Sequence, residues 1–180
     1  MIRLDAKQTF ANAIVELAKT KPFEKITIQN IADYCDASRQ TFYHHFKDKE
    51  DLIEYVYISD ERKALEKVKA DCSLKERAKA IFDTFIEKRS FYIHAYQYVG
   101  QNSLSDNVFT HYYNFYLQII TERYGDEVLD EKMKASIRFL CYGSIDYVKE
   151  WMRQGMNTSS EEMAEIMVDN IPERMRNYLK

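Results

Sequence analysis

The sequence predicts an all-α protein, and three observations carry that prediction. Only 4 of the 180 residues are Gly and only 2 are Pro, whereas a chain of short strands and tight turns needs many more of both. Apolar residues recur at the three- and four-residue spacing of one helix face, and no segment shows the sustained alternation of a half-buried strand. Apolar residues make up 46% of the chain, which is enough for a substantial core.

Three short helices are predicted in residues 1–48. Helical periodicity covers residues 4–18, and Pro22 ends this first helix because proline disfavours helical backbone in the residue before it. Thr27 has the side chain of an N-cap and precedes a second helix, which reaches about residue 35. Ser38 caps a third in the same way. We therefore predict a three-helix N-terminal domain over residues 1–48.

Residues 49–180 are predicted to form a larger helical domain, which brings the total to about nine helices. Gly125 and Gly155 are suited to end two of them, since glycine readily adopts the left-handed conformation that follows a helix. Pro172 predicts a kink or an early end in the last one. The predicted helices cover residues 50–69, 73–89, 90–101, 105–124, 130–154 and 159–178.

The charge of the chain does not by itself indicate a nucleic-acid partner. The formal net charge is −3. Residues 1–50 carry 8 Lys and Arg against 7 Asp and Glu, and residues 51–180 carry the remaining 18 against 22. Attraction to DNA would therefore have to come from a local patch and from oriented backbone N–H groups.

The cysteines and the hydropathy indicate a reduced compartment. Cys35, Cys72 and Cys141 are far apart and odd in number, so neither a disulfide framework nor a zinc site is expected. No signal peptide and no run of about 18 apolar residues is found. We expect a cytoplasmic protein with no membrane partner, no metal and no cofactor.

Residues 27–49 carry the strongest functional signal. Two short helices joined by a brief turn form a helix-turn-helix when the second can lie in the major groove. Apolar side chains would lock the two helices together: Ile28, Ile31, Ala32, Phe42 and Phe46. The opposite face of the second helix would present Arg39, Gln40, Tyr43, His44 and Lys47. This mixture of cationic, aromatic and hydrogen-bonding groups suits base edges and phosphates.

This segment resembles the DNA-binding domain of the TetR family of transcriptional regulators. The family pattern T-I-x-x-I-A begins at Thr27, and the pattern S-x-x-T-F-Y-x-H-F-x-x-K-x-x-L begins at Ser38. The match covers about residues 4–55. It departs from the commonest form at Asp36 and Ala37, where Gly-Val is usual, but aspartate tolerates the left-handed backbone that such a turn needs.

The resemblance implies a division of labour among the DNA-binding residues. The residues expected to hold the phosphate backbone are Thr27, Ser38, Thr41, Tyr43 and Lys49, with Lys47 beside them. The expected base readers are Arg39, Gln40 and His44; arginine can bind guanine, and glutamine adenine, through two hydrogen bonds. The partner implied is a palindromic double-stranded operator bound by a homodimer, with half-sites roughly 34–36 Å apart. The alternative for any single residue is a solvated surface side chain.

The larger domain is rich in tyrosine, with 12 of the 14 tyrosines in residues 51–180. The resemblance implies that this domain senses a small molecule, and aromatic walls with a few polar groups are typical of such pockets. The candidate lining for the unknown effector is Tyr92, His94, Tyr96, Tyr98, Gln101, Tyr112, Tyr113 and Tyr116. The alternative is a core in which each tyrosine has one hydrogen-bond partner.

The last two long helices carry an apolar stripe that the resemblance assigns to dimerisation. The stripe comprises Ile137, Cys141, Ser144, Val148, Trp151, Met163, Ile166 and Met167. Two such helices from each subunit would form a four-helix interface, although the stripe could instead belong to the internal core. Residues 143–156 are also similar to TetR-type regulators of the dihydroxyacetone-kinase-regulator-like kind.

An enzyme and an adaptor protein are the competing functions. No His has a Cys, Ser or carboxylate partner at a recognisable motif spacing, and phosphate-binding glycine loops are absent. Adjacent His44 and His45 would point about 100° apart on a helix. We therefore predict a ligand-responsive repressor that is not an enzyme. The alternative is an activator or adaptor of the same fold that works through a protein partner.

Overall fold

The computed structural model describes residues 6–98 and 103–179, and all the regular secondary structure in these ranges is helical. The ten α-helices are α1 Ala6–Leu17, α2 Ile28–Tyr34, α3 Arg39–Tyr43, α4 Lys49–Glu66, α5 Leu74–Glu87, α6 Arg89–Gln97, α7 Leu104–Tyr124, α8 Glu131–Arg153, α9 Ser160–Asp169 and α10 Glu173–Arg176. Short 3-10 turns cover Phe23–Lys25 and Asp126–Val128. The predicted all-α class is confirmed. One more helix is found than predicted, because the last predicted helix is interrupted before Pro172 and continues as α10.

The helix ends follow local chemistry. Thr27 caps α2: its Oγ1 accepts a hydrogen bond from the Asn30 backbone N–H at 3.1 Å, and the Asn30 side chain accepts from the Thr27 N–H at 3.2 Å. Ser38 caps α3 through the Thr41 N–H. Gly155 follows α8 with a φ of 85°, the left-handed conformation that glycine adopts most readily.

The first three helices form a small unit, here called the head (residues 6–48), around an aromatic centre. Phe10 of α1 meets Phe42 of α3 edge-on, with 5.4 Å between the ring centroids, and it meets Phe46 in the same way at 6.3 Å. All three side chains are buried. Their packing fixes α3 against the head and leaves its other face turned to solvent.

The helical body (residues 49–179 of the described chain) is built on α4, which leads out of the head. Helix α9 lies along α5, and α8 lies along α7. The buried side chains of the head and of the near part of the body form one continuous cluster, which extends from Phe10 to Met163. A second cluster fills the far end, where Ile120, Ile137 and Met175 meet.

None of the helices in the two described ranges has both the length and the apolar character needed to span a membrane.

Candidate nucleic-acid interface and the buried polar core

The outer face of α3 carries the predicted base readers. Arg39, Gln40 and His44 are exposed, and so are Tyr43 and Lys47. The Tyr43 ring stands edge-on to buried Phe42, with 5.7 Å between centroids, and the Tyr43 side chain is exposed. The structure therefore brings these five side chains together on one solvent-facing surface, which is the geometry that major-groove reading requires.

Three hydroxyl groups flank this surface at helix starts. Ser38 Oγ accepts from the Thr41 N–H at 3.0 Å and lies 2.9 Å from Thr41 Oγ1. Thr27 is exposed at the start of α2, where its Oγ1 acts as an acceptor. The Thr27 hydroxyl keeps its own hydrogen for a further acceptor, and so does one hydroxyl of the Ser38–Thr41 pair, since the other donates within the pair. These positions are compatible with the predicted phosphate contacts.

Lys49 is placed differently from the other predicted anchors. Its ammonium group donates to two backbone carbonyls of the head, Phe23 O at 2.6 Å and Ile26 O at 3.2 Å. The same Nζ lies 4.9 Å from the centroid of the Tyr98 ring. Burial lowers the pKa of Lys49 from its usual value, although Glu50 and Glu24 oppose that shift. The side chain points into the protein.

The predicted effector residues form a hydrogen-bonded core with the carboxylates of α4. Tyr92 OH donates to Asp60 Oδ2 at 2.8 Å, and Lys88 Nζ lies 2.5 Å from Asp60 Oδ1. Tyr98 OH donates to Glu50 Oε1 at 2.6 Å. Sequence reasoning missed both carboxylates, because they lie 32 and 48 positions from these tyrosines.

A second part of this core joins α4 to α7. Tyr112 OH donates to Glu61 Oε1 at 2.6 Å, Tyr57 OH donates to Tyr112 OH at 3.4 Å, and His111 Nε2 lies 2.9 Å from Glu61 Oε2. The bond to Glu61 raises the pKa of His111. Burial, followed by the nearby charge of Glu61, raises the pKa of Tyr112 and of Tyr96 well above the usual range. The protonated phenol of Tyr112 is the donor in the bond to Glu61.

Among the remaining predicted effector residues, Tyr113 and Tyr116 lie on α7, and the Tyr116 ring centroid lies 6.4 Å from that of Tyr112. The Tyr113 ring stacks on Phe109, and the Arg138 guanidinium lies 5.4 Å from the centroid of the Tyr113 ring. Tyr116 is half-buried, and its desolvation raises its pKa to about 12. His94 packs against Phe23. Gln101 lies outside the described residues.

None of the predicted effector residues lines either of two surface concavities in the described chain. One of about 350 Å³ lies between α4 and α5 beside Asp60, Thr84 and Lys88. The other, of about 550 Å³, lies between the start of α8 and α10. In the described chain, Tyr92, Tyr98 and Tyr112 each donate to a carboxylate, and their role as effector residues stays a prediction.

The predicted dimer stripe faces the interior of the protomer. Ile137, Cys141, Val148, Trp151 and Met163 are buried within one chain. Ser144, Ile166 and Met167 are half-buried. Within one protomer, α7 and α10 cover this side of α8 at its start, and α6 also packs against α8.

The outward face of α8 carries a different apolar group, here called the α8 outer face: Phe139, Tyr142, Gly143 and Tyr147. Phe139 is 78% exposed, Tyr142 58% and Tyr147 40%. No atom lies within 4 Å of a Cβ placed on Gly143. These residues recur at the same three- and four-residue spacing as those of the buried stripe. The sequence pattern therefore contained this face, but spacing alone could not distinguish it from a face that packs into the core.

Two family models match the chain. A model described as bacterial regulatory proteins of the tetR family matches residues 11–56. A second, described as a transcriptional regulator C-terminal region, matches residues 73–173, more than half of the chain. The first covers the helix-turn-helix, and the second covers α5 to the beginning of α10.

The relatives agree with these models. The uncharacterized HTH-type transcriptional regulator YerO of Bacillus subtilis (strain 168) is 23% identical over 189 aligned positions, which cover 93% of this chain. The chain spans 63% of the length of that relative. Among solved structures, the dihydroxyacetone kinase operon activator DhaS has a TM-score of 0.65 at 16% identity, covering 97% of this chain and 98% of that one. A protein of Pseudomonas aeruginosa PAO1 described as a transcriptional regulator gives 0.53 at 15% identity, covering 99% and 97%.

Proposed function

Because this chain belongs to the TetR family of bacterial transcriptional regulators, we propose that it binds a palindromic DNA operator as a homodimer and represses transcription until a small molecule releases it. The observation that carries the proposal is the exposed face of α3. Arg39, Gln40 and His44 stand on that face, while Phe42 on its other side fixes the helix in the head. Groups of these types discriminate base pairs in the major groove.

The homodimer follows from the weak charge of a single head. The first 50 residues have a surplus of one cation, and nonspecific affinity for DNA rises with the number of phosphates neutralised. Two heads on one duplex double the number of phosphate contacts. A two-fold pair also matches the symmetry of a palindrome and the spacing of its half-sites.

The α8 outer face is the surface we propose for the contact between subunits. Phe139 and Tyr142 are large, exposed and one helical turn apart, and Gly143 beside them allows close approach of a second helix. Aromatic residues of this kind are enriched at the centres of protein interfaces. A second copy of α8 presents the same surface, as a two-fold interface requires.

Release by an effector is proposed to work through α4. This helix begins at the head and holds polar bonds to α6 and α7 through Glu50 and Glu61. A small molecule that binds among those helices better in one arrangement shifts the population toward it and changes the spacing of the heads. Such a protein acts where the DNA is, in the cytoplasm, and needs no catalytic residue.

The DNA-binding proposal is tested by selecting duplexes from a randomised library with the full-length protein. We expect a palindromic consensus, and we expect Arg39→Ala to weaken binding to it by roughly 10- to 100-fold with relaxed preference at one position per half-site. Lys19→Ala is the matched control, since Lys19 is an exposed cation of the head that pairs with Glu16 on α1. Equal affinity and site preference for Arg39→Ala and the wild type would contradict base reading.

The interface is tested by sedimentation equilibrium. Phe139→Glu is expected to convert the dimer to a monomer by placing two charges in the contact. Phe115→Glu is the control, since Phe115 is also exposed but lies on α7. A Phe139→Glu protein that remains dimeric would place the interface elsewhere.

Activation through a protein partner is the second candidate. It is favoured by the structural similarity to DhaS, whose name describes an operon activator. Transcription in vitro from a template that carries the selected operator separates the two. Repression predicts less transcript when the protein is added without effector, and activation predicts more.

A further inference from the structure

We infer that Lys49 is a positioning residue of the DNA-binding head, which clamps the turn before α2 and ties it to the end of α6, and that it does not contact phosphate. The inference deepens the proposed function and rests on it. It assigns to Lys49 a role different from the one that its place in the sequence pattern implies.

The ammonium group of Lys49 lies against the 3-10 turn that precedes α2. Its two backbone acceptors are Phe23 O, in the first residue of the 3-10 turn, and Ile26 O, in the residue that follows the turn. Ile26 immediately precedes Thr27, the cap of α2. A charged donor that joins both ends of this turn fixes the point at which α2 enters the helix-turn-helix, and with it the position of the Thr27 hydroxyl.

The ring of Tyr98 covers the ammonium group of Lys49. The Tyr98 ring lies 4.9 Å from Lys49 Nζ, within range of a cation–π contact. The hydroxyl of the same ring donates to Glu50, the next residue of α4. Tyr98 directly follows α6, so the end of α6 is bonded to the boundary between head and body at two adjacent residues.

The same 3-10 turn also packs against α6. Phe23 is buried and meets Phe91 of α6 edge-on at 5.4 Å, and the His94 ring lies 6.0 Å from it. The carbonyl of Phe23 is therefore held by Lys49 while its ring is held by α6. A movement of α6 would act on this turn through the Phe23 ring and through the Tyr98 ring over Lys49.

A contact between Lys49 and a phosphate would break the contacts that the side chain makes in the free protein. To reach a phosphate, Lys49 would have to leave both carbonyls and the Tyr98 ring. A lysine as the first residue of a helix also faces the unfavourable end of the helix dipole, and the two carbonyl bonds offset that placement. Lys47, two residues earlier, is exposed at the end of the α3 face and makes a suitable reference cation.

The first test measures the salt dependence of DNA binding with a 40-bp duplex of mixed sequence as the probe, so that no operator is needed. Lys47→Met is expected to reduce the slope of log affinity against log salt by about 0.9 per head, as the loss of one phosphate contact requires. Lys49→Met is expected to leave the slope unchanged and to weaken binding by a similar factor at every salt concentration. A slope reduced as much by Lys49→Met as by Lys47→Met would overturn the inference.

The second test needs no DNA and therefore separates this inference from the proposed function. Amide hydrogen exchange in the free full-length protein is expected to accelerate over residues 23–30 in Lys49→Met and in Tyr98→Leu, but not in Lys47→Met. Tyr98→Phe, which keeps the ring over the ammonium, is expected to show the smaller change. Unchanged exchange in Tyr98→Leu and Lys49→Met overturns the clamp. A wild-type protein that fails to bind any duplex overturns the proposed function instead, and exchange still decides the clamp.

Discussion

The head and the helical body arrange their polar side chains in opposite ways. In the head, Arg39 and Gln40 lie on the surface, and the interior is filled by the rings of Phe10 and Phe42. In the body, polar groups lie inside, and Asp60 is only 3% exposed. A buried polar group that loses its partner keeps the full cost of its desolvation, whereas an exposed one returns to water. Substitutions should therefore change recognition in the head and stability in the body.

The largest expected effect lies in the body. Asp60→Ala removes the shared partner of Lys88 and of buried Tyr92. We expect the free energy of unfolding to fall by about 3 kcal/mol, near the lower end for a broken buried pair, and the melting temperature to fall by roughly 6–12 °C. Urea and thermal unfolding measure both.

The matched control is an aspartate of the head. Asp33 is exposed on α2, where Gln29 donates to it. Asp33→Ala should leave the unfolding midpoint unchanged within error. If both variants destabilised the protein equally, the contrast between the two regions would be lost.

The next largest effect belongs to the head and is an effect on binding. Gln40→Ala should reduce discrimination at one base pair of each half-site by about 2 kcal/mol, the range of one two-bond base contact. Its free energy of unfolding should stay within about 0.5 kcal/mol of wild type, as for most surface substitutions. Competition binding with single-base operator variants, together with urea unfolding, tests this pair of expectations. If Gln40→Ala lowered the free energy of unfolding and left base discrimination unchanged, the proposed contrast between the head and the body would be wrong.

A smaller effect is expected at the turn of the head. Asp36 has a φ of 49°, in the left-handed region. Alanine tolerates that conformation less well than aspartate, so Asp36→Ala should cost about 1 kcal/mol. Asp36→Gly relieves the backbone and is the control. Equal destabilisation by Ala and Gly, measured by urea unfolding, would mean that the aspartate side chain matters and the backbone does not.

The smallest effect is a pH dependence in the body. The bond to Glu61 raises the pKa of His111, with Glu54 also contributing. A group whose pKa is raised on folding stabilises the protein fully below its unfolded pKa, about 6.5, and loses that contribution as pH rises through the folded value. Relative to His111→Gln, the wild type should be more stable at pH 6 than at pH 8. Because His111 is more than a third exposed, we expect a difference under about 1 kcal/mol.

The pH comparison is made by urea unfolding at both values, with His44→Gln on the exposed face of α3 as the control. If the free energies of unfolding of the wild type and of His111→Gln differ by the same amount at pH 6 and at pH 8, the proposed linkage between His111 and Glu61 is wrong.

The head could be predicted closely because its determinants are local in sequence. Thr27 and Ser38 cap helices through residues three positions away, and Asp36 takes the left-handed conformation within a short turn. The helical period then places Phe42 and Gln40 on opposite sides of α3, since two residues turn the helix by about 200°. The inward direction of Lys49 could not be predicted in this way, since its acceptors lie 23 and 26 positions earlier.

The body could be predicted as helices but not as a packed arrangement. Helix α8 is apolar on two faces, and the period alone does not say which one the protomer covers. Ile137 and Trp151 turned out to be buried, while Phe139 stands in solvent. The tyrosine bonds likewise depend on distant carboxylates, as with Tyr112 and Glu61, 51 positions apart.

The edge-on contact between Phe23 and Phe91 has a consequence for how such proteins recombine. The buried side chains of the head and of the body form one continuous cluster. The head is therefore not an independent module that can be exchanged as a unit. A chimera that joins this head to the body of a distant relative would meet a foreign side chain at position 91 and lose the matching ring. Transplanting the DNA preference should therefore succeed by exchanging the exposed residues of α3 alone, with Phe23, Lys49 and Tyr98 left in place.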